Sequence, residues 1–363
     1  NIRKNFDLLF SFTSPCTMAS NASCFDILNM GMGAVFQGTS PITALDFHEE
    51  GELCVTASQD HSIILIDALE GKIKKTIHSK KYGVGCVKYT HHNQSILISS
   101  NSSTSTNHDV RYLSLYDNKF LRFFSGHSDK VTSMAMCPVD DNFITGAMDR
   151  SVRLWHLQRP TCLAVLQFPV SSGAPLVAYD PTGVVFAASA SLATANMIKM
   201  YDARQYEKGP FDTFMLEHDV VADFLARRMP RMQTQQAQTL ARASWTRLTF
   251  SQDGGCLLIS TDASLCLMLD AFEGKIVQVF TGHTNDNGSE LDACFSPDVK
   301  YVLSGSEDGQ IYSYRTDTGG LVTKLSGHVG AVRRVACSPR YEVVASACTN
   351  TALWITGQAA AGA

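Results

Sequence analysis

Three histidines are each followed, at regular spacing, by a short polar residue, a combination that could support acid–base chemistry. The three pairs, 22 or 25 positions apart, are His127 with Asp149, His283 with Asp308, and His328 with Asn350. A histidine held by a carboxylate near a serine is the arrangement found in serine hydrolases. A hydrolase needs one such site, whereas this pairing recurs. We therefore expect a hydrogen bond that stabilises each copy of a repeated unit.

No other group of residues matches a pattern for catalysis, cofactor binding or metal binding. The sequence has no GxSxG nucleophile elbow, no GxxxxGK[ST] phosphate loop and no HExxH zinc motif. Its 11 cysteines are scattered without a CxxC pair, and most lie in apolar runs, where a thiol behaves as a small hydrophobe. This pattern is typical of reduced intracellular proteins, so we expect no catalytic residue, no cofactor and no metal.

Composition limits the classes of partner. Apolar residues make up 45% of the chain, charged residues 18%, and the net charge is −4. A core is therefore easily formed, and neither direct nucleic-acid binding nor a membrane span is expected. Residues 1–10 carry an apolar run too short for a signal peptide, and the absence of an initial Met leaves open whether the natural N-terminus is present.

The histidine pairs belong to a larger unit that recurs along the chain. Each copy has an apolar alternating run, a turn, a second run rich in Ser and Ala, an acidic tight turn and a third strand, most clearly at 131–157 and 291–316. The third strands end at seven positions: Asp67, Tyr116, His156, Asp202, Asp270, Arg315 and Ile355. Most of the gaps between them are close to the period of about 40–45 residues of a WD40 blade.

This repeat predicts the fold. Gly-His pairs precede three first strands, and Trp155 and Trp354 stand at the WD40 tryptophan position. We predict an all-β, seven-bladed WD40 β-propeller over residues 26–357, with tails at 1–25 and 358–363. The seventh copy stops after its third strand, so a strand from residues 25–37 must close the ring. The residues predicted to be structural are His127, Asp149, Trp155, His283, Asp308, His328 and Asn350.

One gap is longer than the period. The excess maps to residues 215–243, which are rich in helix formers and poor in β-branched alternation. We predict a helical insertion with an apolar face of Val220, Phe224 and Met229, ended or kinked at Pro230. Two interpretations stay open: a mobile insertion on the rim, or an element that docks a partner.

A surface for partners follows from the fold. The turns between second and third strands share one face of a propeller with the loops that connect blades. Six residues on that face are predicted to bind a partner: Asp60, Lys80, Lys81, Tyr82, Arg150 and Glu307. Tyr82 offers contact area at little entropic cost, and its cationic neighbours could clamp acidic or phosphorylated segments. The alternative is that Tyr82 packs onto the neighbouring blade and the lysines are merely solvated.

Several strings go beyond the general WD40 pattern. They include SKKYGV (79–84), VRYLSLYDNKF (110–120), YDARQYEKGPFDTF (201–214) and SACTNTALW (346–354). In this order they resemble the WD-repeat subunit shared by COMPASS-type histone methyltransferase complexes and protein phosphatase type 1 complexes of transcription termination. The long insertion and residues 102–107 depart from that family's pattern.

The resemblance implies a nuclear, non-catalytic scaffold. Its partners would be short segments of a methyltransferase or phosphatase-targeting subunit, with an indirect link to RNA polymerase II. The alternatives are a substrate receptor of a ubiquitin ligase, an enzyme with a site in the central channel, and a G-protein β-subunit. A channel enzyme would need non-repeating polar residues that converge on the channel, and the sequence indicates none. A G-protein β-subunit would need an N-terminal coiled coil, and residues 1–25 have no heptads.

Overall fold

Seven four-stranded antiparallel sheets form the blades of a β-propeller, as the repeat predicts. The computed structural model describes residues 25–101, 107–169 and 172–357. Apart from Phe25, the predicted tails lie outside the described residues.

Six blades each use four consecutive strands, hydrogen-bonded in chain order. Blades 1 to 3 comprise β2 (Ile42–Phe47), β3 (Leu53–Ser58), β4 (Ser62–Asp67), β5 (Lys72–His78); β6 (Val87–Tyr89), β7 (Ser95–Ser99), β8 (Val110–Ser114), β9 (Phe120–Phe124); and β10 (Val131–Met136), β11 (Asn142–Ala147), β12 (Ser151–His156), β13 (Ala164–Gln167). Blades 4 to 6 comprise β14 (Val177–Tyr179), β15 (Val185–Ser191), β16 (Ala195–Asp202), β17 (Asp212–Glu217); β18 (Trp245–Phe250), β19 (Cys256–Thr261), β20 (Leu265–Asp270), β21 (Ile276–Thr281); and β22 (Ala293–Phe295), β23 (Tyr301–Gly305), β24 (Gln310–Arg315), β25 (Leu321–Ser326).

The seventh blade joins the two ends of the chain. It contains β26 (Arg334–Cys337), β27 (Val343–Ala347) and β28 (Thr351–Thr356), and its outer strand is β1 (Met30–Phe36). Strand β1 pairs with β28 in antiparallel register. The prediction that an N-terminal strand closes the ring is confirmed. Strand β1 covers the edge of β28 that would otherwise be unpaired.

Burial follows the position of each strand in its blade. All six residues of β3 are buried, whereas β5 buries only Ile77. The inner and middle strands are covered on both faces because blades stack against each other, and the outer strand meets solvent. Apolar clusters therefore lie between neighbouring blades, as where Phe124 of blade 2 meets Phe143 and Trp155 of blade 3.

The insertion between blades 4 and 5 is helical, as predicted, and consists of α1 (His218–Arg228) and α2 (Thr234–Ala241). Helix α1 ends two residues before Pro230, which cannot continue it. The helices pack on the core between blades 4 and 5, and Arg228 donates a hydrogen bond to Gln278 of β21 at 3.2 Å. The insertion is therefore docked on the propeller. Within the described residues, no helix has the length and apolar character needed to span a bilayer.

The predicted apolar face of α1 holds for two of its three residues. Phe224 and Met229 pack against the core between blades 4 and 5, whereas Val220 is 52% exposed. The fully buried side chains of the helix are Val221, Ala222 and Leu225. Helix α1 also packs against α2, which buries only the small Ala237 and Ala241. The inward face therefore includes Val221 in place of its neighbour Val220.

Candidate interaction face

Blade 3 contains a buried network around one of the predicted histidine pairs. Nδ1 of His127 donates to Asp149 at 2.9 Å, and its Nε2 accepts from the Thr145 hydroxyl at 2.7 Å. The Thr145 oxygen in turn accepts from the indole nitrogen of Trp155 at 2.9 Å. The His127 side chain is 1% exposed. The network joins the loop before β10 to β11, the following turn and β12, so it fixes the loop geometry of this blade.

The Asp149 carboxylate is the most heavily bonded group of this network. It also accepts from the backbone N–H of Ser128 at 3.0 Å and from the backbone and hydroxyl of Ser151 at 3.0 and 2.7 Å. Burial raises the pKa of Asp149, but the hydrogen bonds from Ser151 and His127 outweigh burial and lower it to about 2. Burial lowers the pKa of His127. At neutral pH the contact therefore joins a neutral imidazole, His127, to a charged carboxylate, Asp149.

Blade 6 does not contain the expected His283–Asp308 hydrogen bond. Nδ1 of His283 lies 3.4 Å from the Tyr314 hydroxyl, and Asp308 accepts from the Tyr312 hydroxyl at 2.8 Å. The Tyr312 hydroxyl takes the place of the histidine at the Asp308 carboxylate, because β24 has two tyrosines where β12 has Arg153 and Trp155. Burial lowers the pKa of His283 to about 4, so this ring is neutral at physiological pH.

Blade 7 replaces the expected partner with a thiol. His328 Nδ1 lies 3.1 Å from Sγ of Cys348, and Asn350 instead accepts from the backbone of Gly38 at 3.0 Å. The rest of the network resembles blade 3, since His328 Nε2 and the Trp354 indole both meet Ser346 at 2.6 and 2.7 Å. Burial raises the pKa of Cys348, but His328 outweighs burial and lowers it to about 6.

The predicted contact residues lie in the turns and loops at one end of the blades. Asp60 caps the β3–β4 turn by accepting from the Ser62 backbone at 2.9 Å and from the Thr39 hydroxyl at 3.1 Å. Burial raises the pKa of Asp60, but these hydrogen bonds outweigh burial and lower it. Arg150 occupies the equivalent turn of blade 3 in the left-handed region, with φ 61°. Both are held in fixed turns, which reduces the entropic cost of a contact.

Glu307 holds a loop. Its carboxylate accepts from the backbone N–H groups of Asp286 and Asn287 at 2.9 and 3.2 Å and from the Ser289 hydroxyl at 2.5 Å. Burial raises the pKa of Glu307, but the hydrogen bond from Ser289 and the loop amides outweigh it and lower it. The Glu307 carboxylate thus fixes the conformation of residues 284–290, and a partner would contact this loop.

The loop between blades 1 and 2 presents two cations and an aromatic ring. Lys80 and Lys81 are exposed, and within the described part of the chain neither ammonium group has an acidic partner. The Lys81 ammonium lies 4.9 Å from the centre of the Tyr82 ring. Tyr82 itself is half-buried and contacts Phe120 at a ring-centroid distance of 6.0 Å. The aromatic ring therefore packs on blade 2, while the lysines project from it.

Tyr82 covers a buried arginine that sequence reasoning missed. The Arg111 guanidinium lies 3.8 Å from the centre of the Tyr82 ring and is inaccessible to solvent. Its three nitrogens have no hydrogen-bond partner among the described residues, and burial lowers its pKa. The sequence did carry a signal for it. Arg111 lies in the third strand of its blade, opposite Ile98, and Arg153 holds the same position in blade 3, opposite Thr145.

Charged side chains converge on the central channel, a cavity of about 490 Å³, so the expectation that none would do so is wrong. Lys88 pairs with Asp46 at 2.5 Å, and Asp292 pairs with Arg247 and, at 3.3 Å, with Arg334. The repeat pattern did not predict these charged side chains, because the residues that face the channel differ from blade to blade. These pairs join the inner strands of neighbouring blades. In the described residues, no cluster of three or more metal-ligating side chains occurs.

Comparison with known proteins identifies the family. The model for "WD domain, G-beta repeat" matches residues 32–67, 118–156 and 274–315. "WD repeat-containing protein 82" of Drosophila melanogaster is 40% identical over 320 residues, which cover 88% of this chain and 92% of that protein. The chain belongs to the family of WD repeat-containing protein 82.

Two fungal relatives extend this family. "Set1 complex component swd2" of Schizosaccharomyces pombe is 31% identical over 285 residues, 76% of this chain and 71% of that protein. "COMPASS component SWD2" of Saccharomyces cerevisiae is 31% identical over 324 residues, 85% of this chain and 88% of that protein. The resemblance to the COMPASS-associated WD-repeat family is confirmed.

Proposed function

We propose that this protein is a non-catalytic scaffold subunit of a nuclear histone H3 methyltransferase complex of the COMPASS type. In the same proposal it links methyltransferase or protein phosphatase type 1 assemblies to RNA polymerase II. Two relatives that align with most of the chain carry names of complex subunits, "COMPASS component" and "Set1 complex component". Both names describe members of an assembly, and neither names a reaction.

The observation that carries the proposal is the cationic loop on one face of a rigid ring. Lys80 and Lys81 have no acidic partner among the described residues, whereas other exposed lysines, such as Lys72 and Lys119, pair with a nearby carboxylate. Two ammonium groups that lack an acidic partner, beside a half-buried ring, favour an acidic segment of a partner protein. The arrangement supports protein recognition without chemistry at the bound segment.

The rest of the face supports the same role. Asp60 and Arg150 are held in tight turns, and Glu307 fixes its loop, so the surface is formed before a partner arrives. A preformed surface loses less conformational entropy on binding than a mobile one. The buried histidine networks behind the turns maintain this geometry. We therefore assign them a structural role and propose no catalytic residue, cofactor or metal.

The test reverses the charge of the loop without disturbing its ring. Tyr82 should be left in place because it covers Arg111, so its loss would expose a buried cation and perturb folding. The variant is Lys80→Glu combined with Lys81→Glu. The matched control is Lys119→Glu, whose side chain is 77% exposed in the β8–β9 turn at the opposite end of the blade.

Tagged proteins should be purified from their own cells and the co-purifying subunits identified. We expect the wild type and Lys119→Glu to retain methyltransferase-complex subunits and the double variant to lose them while keeping its melting temperature. A folded double variant that retains these subunits at full yield would exclude the cationic loop as the contact. Recovery of ubiquitin-ligase subunits with the wild type would favour the substrate-receptor alternative.

A further inference from the structure

Two cysteines from neighbouring blades have thiols in contact. Cys294 lies in β22, the inner strand of blade 6, and Cys337 lies in β26, the inner strand of blade 7. Their sulfur atoms are 3.6 Å apart, and both cysteines are free thiols. Of the nine cysteines in the described ranges, these two alone form such a pair. The contact crosses from one blade to the next, so a bond between the sulfurs would join two separate sheets.

The pair is accessible to small molecules from the central channel. Both cysteines line the channel cavity of about 490 Å³, and both are partly exposed. By contrast, Cys54 and Cys266 are buried between blades, with no second thiol beside them among the described residues. We expect a small oxidant to reach the pair through this channel without unfolding of a blade.

We propose that Cys294 and Cys337 form a redox modification site that a hydroperoxide converts to a disulfide between blades 6 and 7. One thiolate attacks the peroxide oxygen, which gives a sulfenic acid and releases the alcohol, or water from hydrogen peroxide. The second thiol attacks that sulfur, and the hydroxyl leaves as water. Two thiols and one peroxide thus yield one disulfide, one alcohol and one water. The two sulfurs approach from contact distance to the bond length of about 2.05 Å.

The surroundings set the pH dependence of the reaction. The hydrogen bond to Cys294 and burial both raise the pKa of Cys337, and the charge of Asp298 adds to them. No cation among the described residues pairs with either sulfur; Arg334, the nearest cation along β26, is engaged by Asp292 and by the Thr43 carbonyl at 2.7 Å. Because the thiolate is the reactive form, oxidation should speed up as pH rises.

The disulfide would add a covalent link between the inner strands of blades 6 and 7. It would not cross the seam of the ring, which is the pairing of β1 with β28. A crosslink restricts the unfolded chain, so the oxidised protein should be the more stable form. The site would couple cellular oxidant level to the stability of these two blades.

The test treats the full chain with hydrogen peroxide and maps disulfides by mass spectrometry of non-reduced peptides. We expect a linked peptide pair containing Cys294 and Cys337, lighter by two hydrogens, and a melting temperature that rises and returns on reduction with dithiothreitol. Cys294→Ser and Cys337→Ser should each abolish the linked peptide and the rise. The matched control, Cys256→Ser, should retain both.

Two results would overturn the proposal. One is that both thiols of the peroxide-treated wild type remain open to alkylation. The other is that they oxidise to sulfinic acid without forming the linked peptide. Peptide mapping of the wild type decides the question even if a serine variant fails to fold.

Discussion

Replacing Asp149 with alanine tests whether the buried network of blade 3 stabilises the propeller. The carboxylate accepts hydrogen bonds from His127 Nδ1, Ser128 N–H, and the backbone and hydroxyl of Ser151. The Ser128 amide is exposed and can bond to water instead. The Nδ1–H of His127 is buried, and without Asp149 its remaining acceptor would be the Ser151 hydroxyl at the longer distance of 3.3 Å. Leaving a buried donor poorly paired costs about 1–3 kcal/mol, and the lost charged hydrogen bonds add to this.

The lowered pKa of Asp149 expresses the same stabilisation in another form. Its fall from 3.8 to about 2 corresponds to about 2 kcal/mol of stabilisation of the charged form. The two routes agree, so we expect Asp149→Ala to lower the free energy of unfolding by about 2–4 kcal/mol. Because the pKa is depressed on folding, this stabilisation is present above pH 3.8 and is lost as the pH falls through about 2.

Urea unfolding followed by tryptophan fluorescence measures the effect. The matched control is Asp308→Ala, which removes the carboxylate at the same repeat position of blade 6, where it does not bond to the histidine. Asp308→Ala should cost about 1 kcal/mol, because the lost partners are the Tyr312 and Ser306 hydroxyls and an exposed turn amide. Equal midpoints for the two variants would refute the role assigned to the His127–Asp149 contact.

Two further predictions concern closure and pH. Deletion of residues 1–38 removes β1 and should produce an aggregating protein. A 1–38 deletion that stays monomeric and equally stable would contradict the closure scheme. His283 has a folded pKa of about 4 against 6.5 ordinarily, so its contribution is complete above pH 6.5 and is lost as the pH falls towards 4. The loss should be about 1.4 kcal/mol per pH unit, and His283→Gln should flatten the slope of unfolding free energy against pH; an unchanged slope would show that another group carries it.

The fold could be predicted because its signals repeat. Each blade contributes a similar alternation and an aspartate or asparagine at the same repeat position, so the regular copies on either side indicate where an irregular copy such as blade 2 lies. Closure was predictable for a related reason, since a seventh copy without a fourth strand leaves one edge that only residues before β2 could fill.

The partner of each polar side chain could not be predicted by repetition. The same position holds an aspartate bonded to histidine in blade 3 and an asparagine bonded to Gly38 in blade 7. In blade 7 the Cys348 sulfur occupies the position beside His328 Nδ1 that the aspartate occupies in blade 3. Arg111 was missed for the opposite reason, because its strand matches the repeat and only the packing of Tyr82 shows that the cation is buried.

The pairing of β1 with β28 has a consequence for biosynthesis. Strand β1 leaves the ribosome before every other described strand but pairs with β28, the last of them, so the ring cannot close until all seven blades have been made. During that interval blade 1 and the growing end each expose an unpaired edge, the kind of surface that associates with other chains. Joining the two ends of so long a chain also makes closure a slow step of folding. A circular permutant that places both strands of the seam in one continuous hairpin should therefore fold faster than the natural order while keeping the same seven blades.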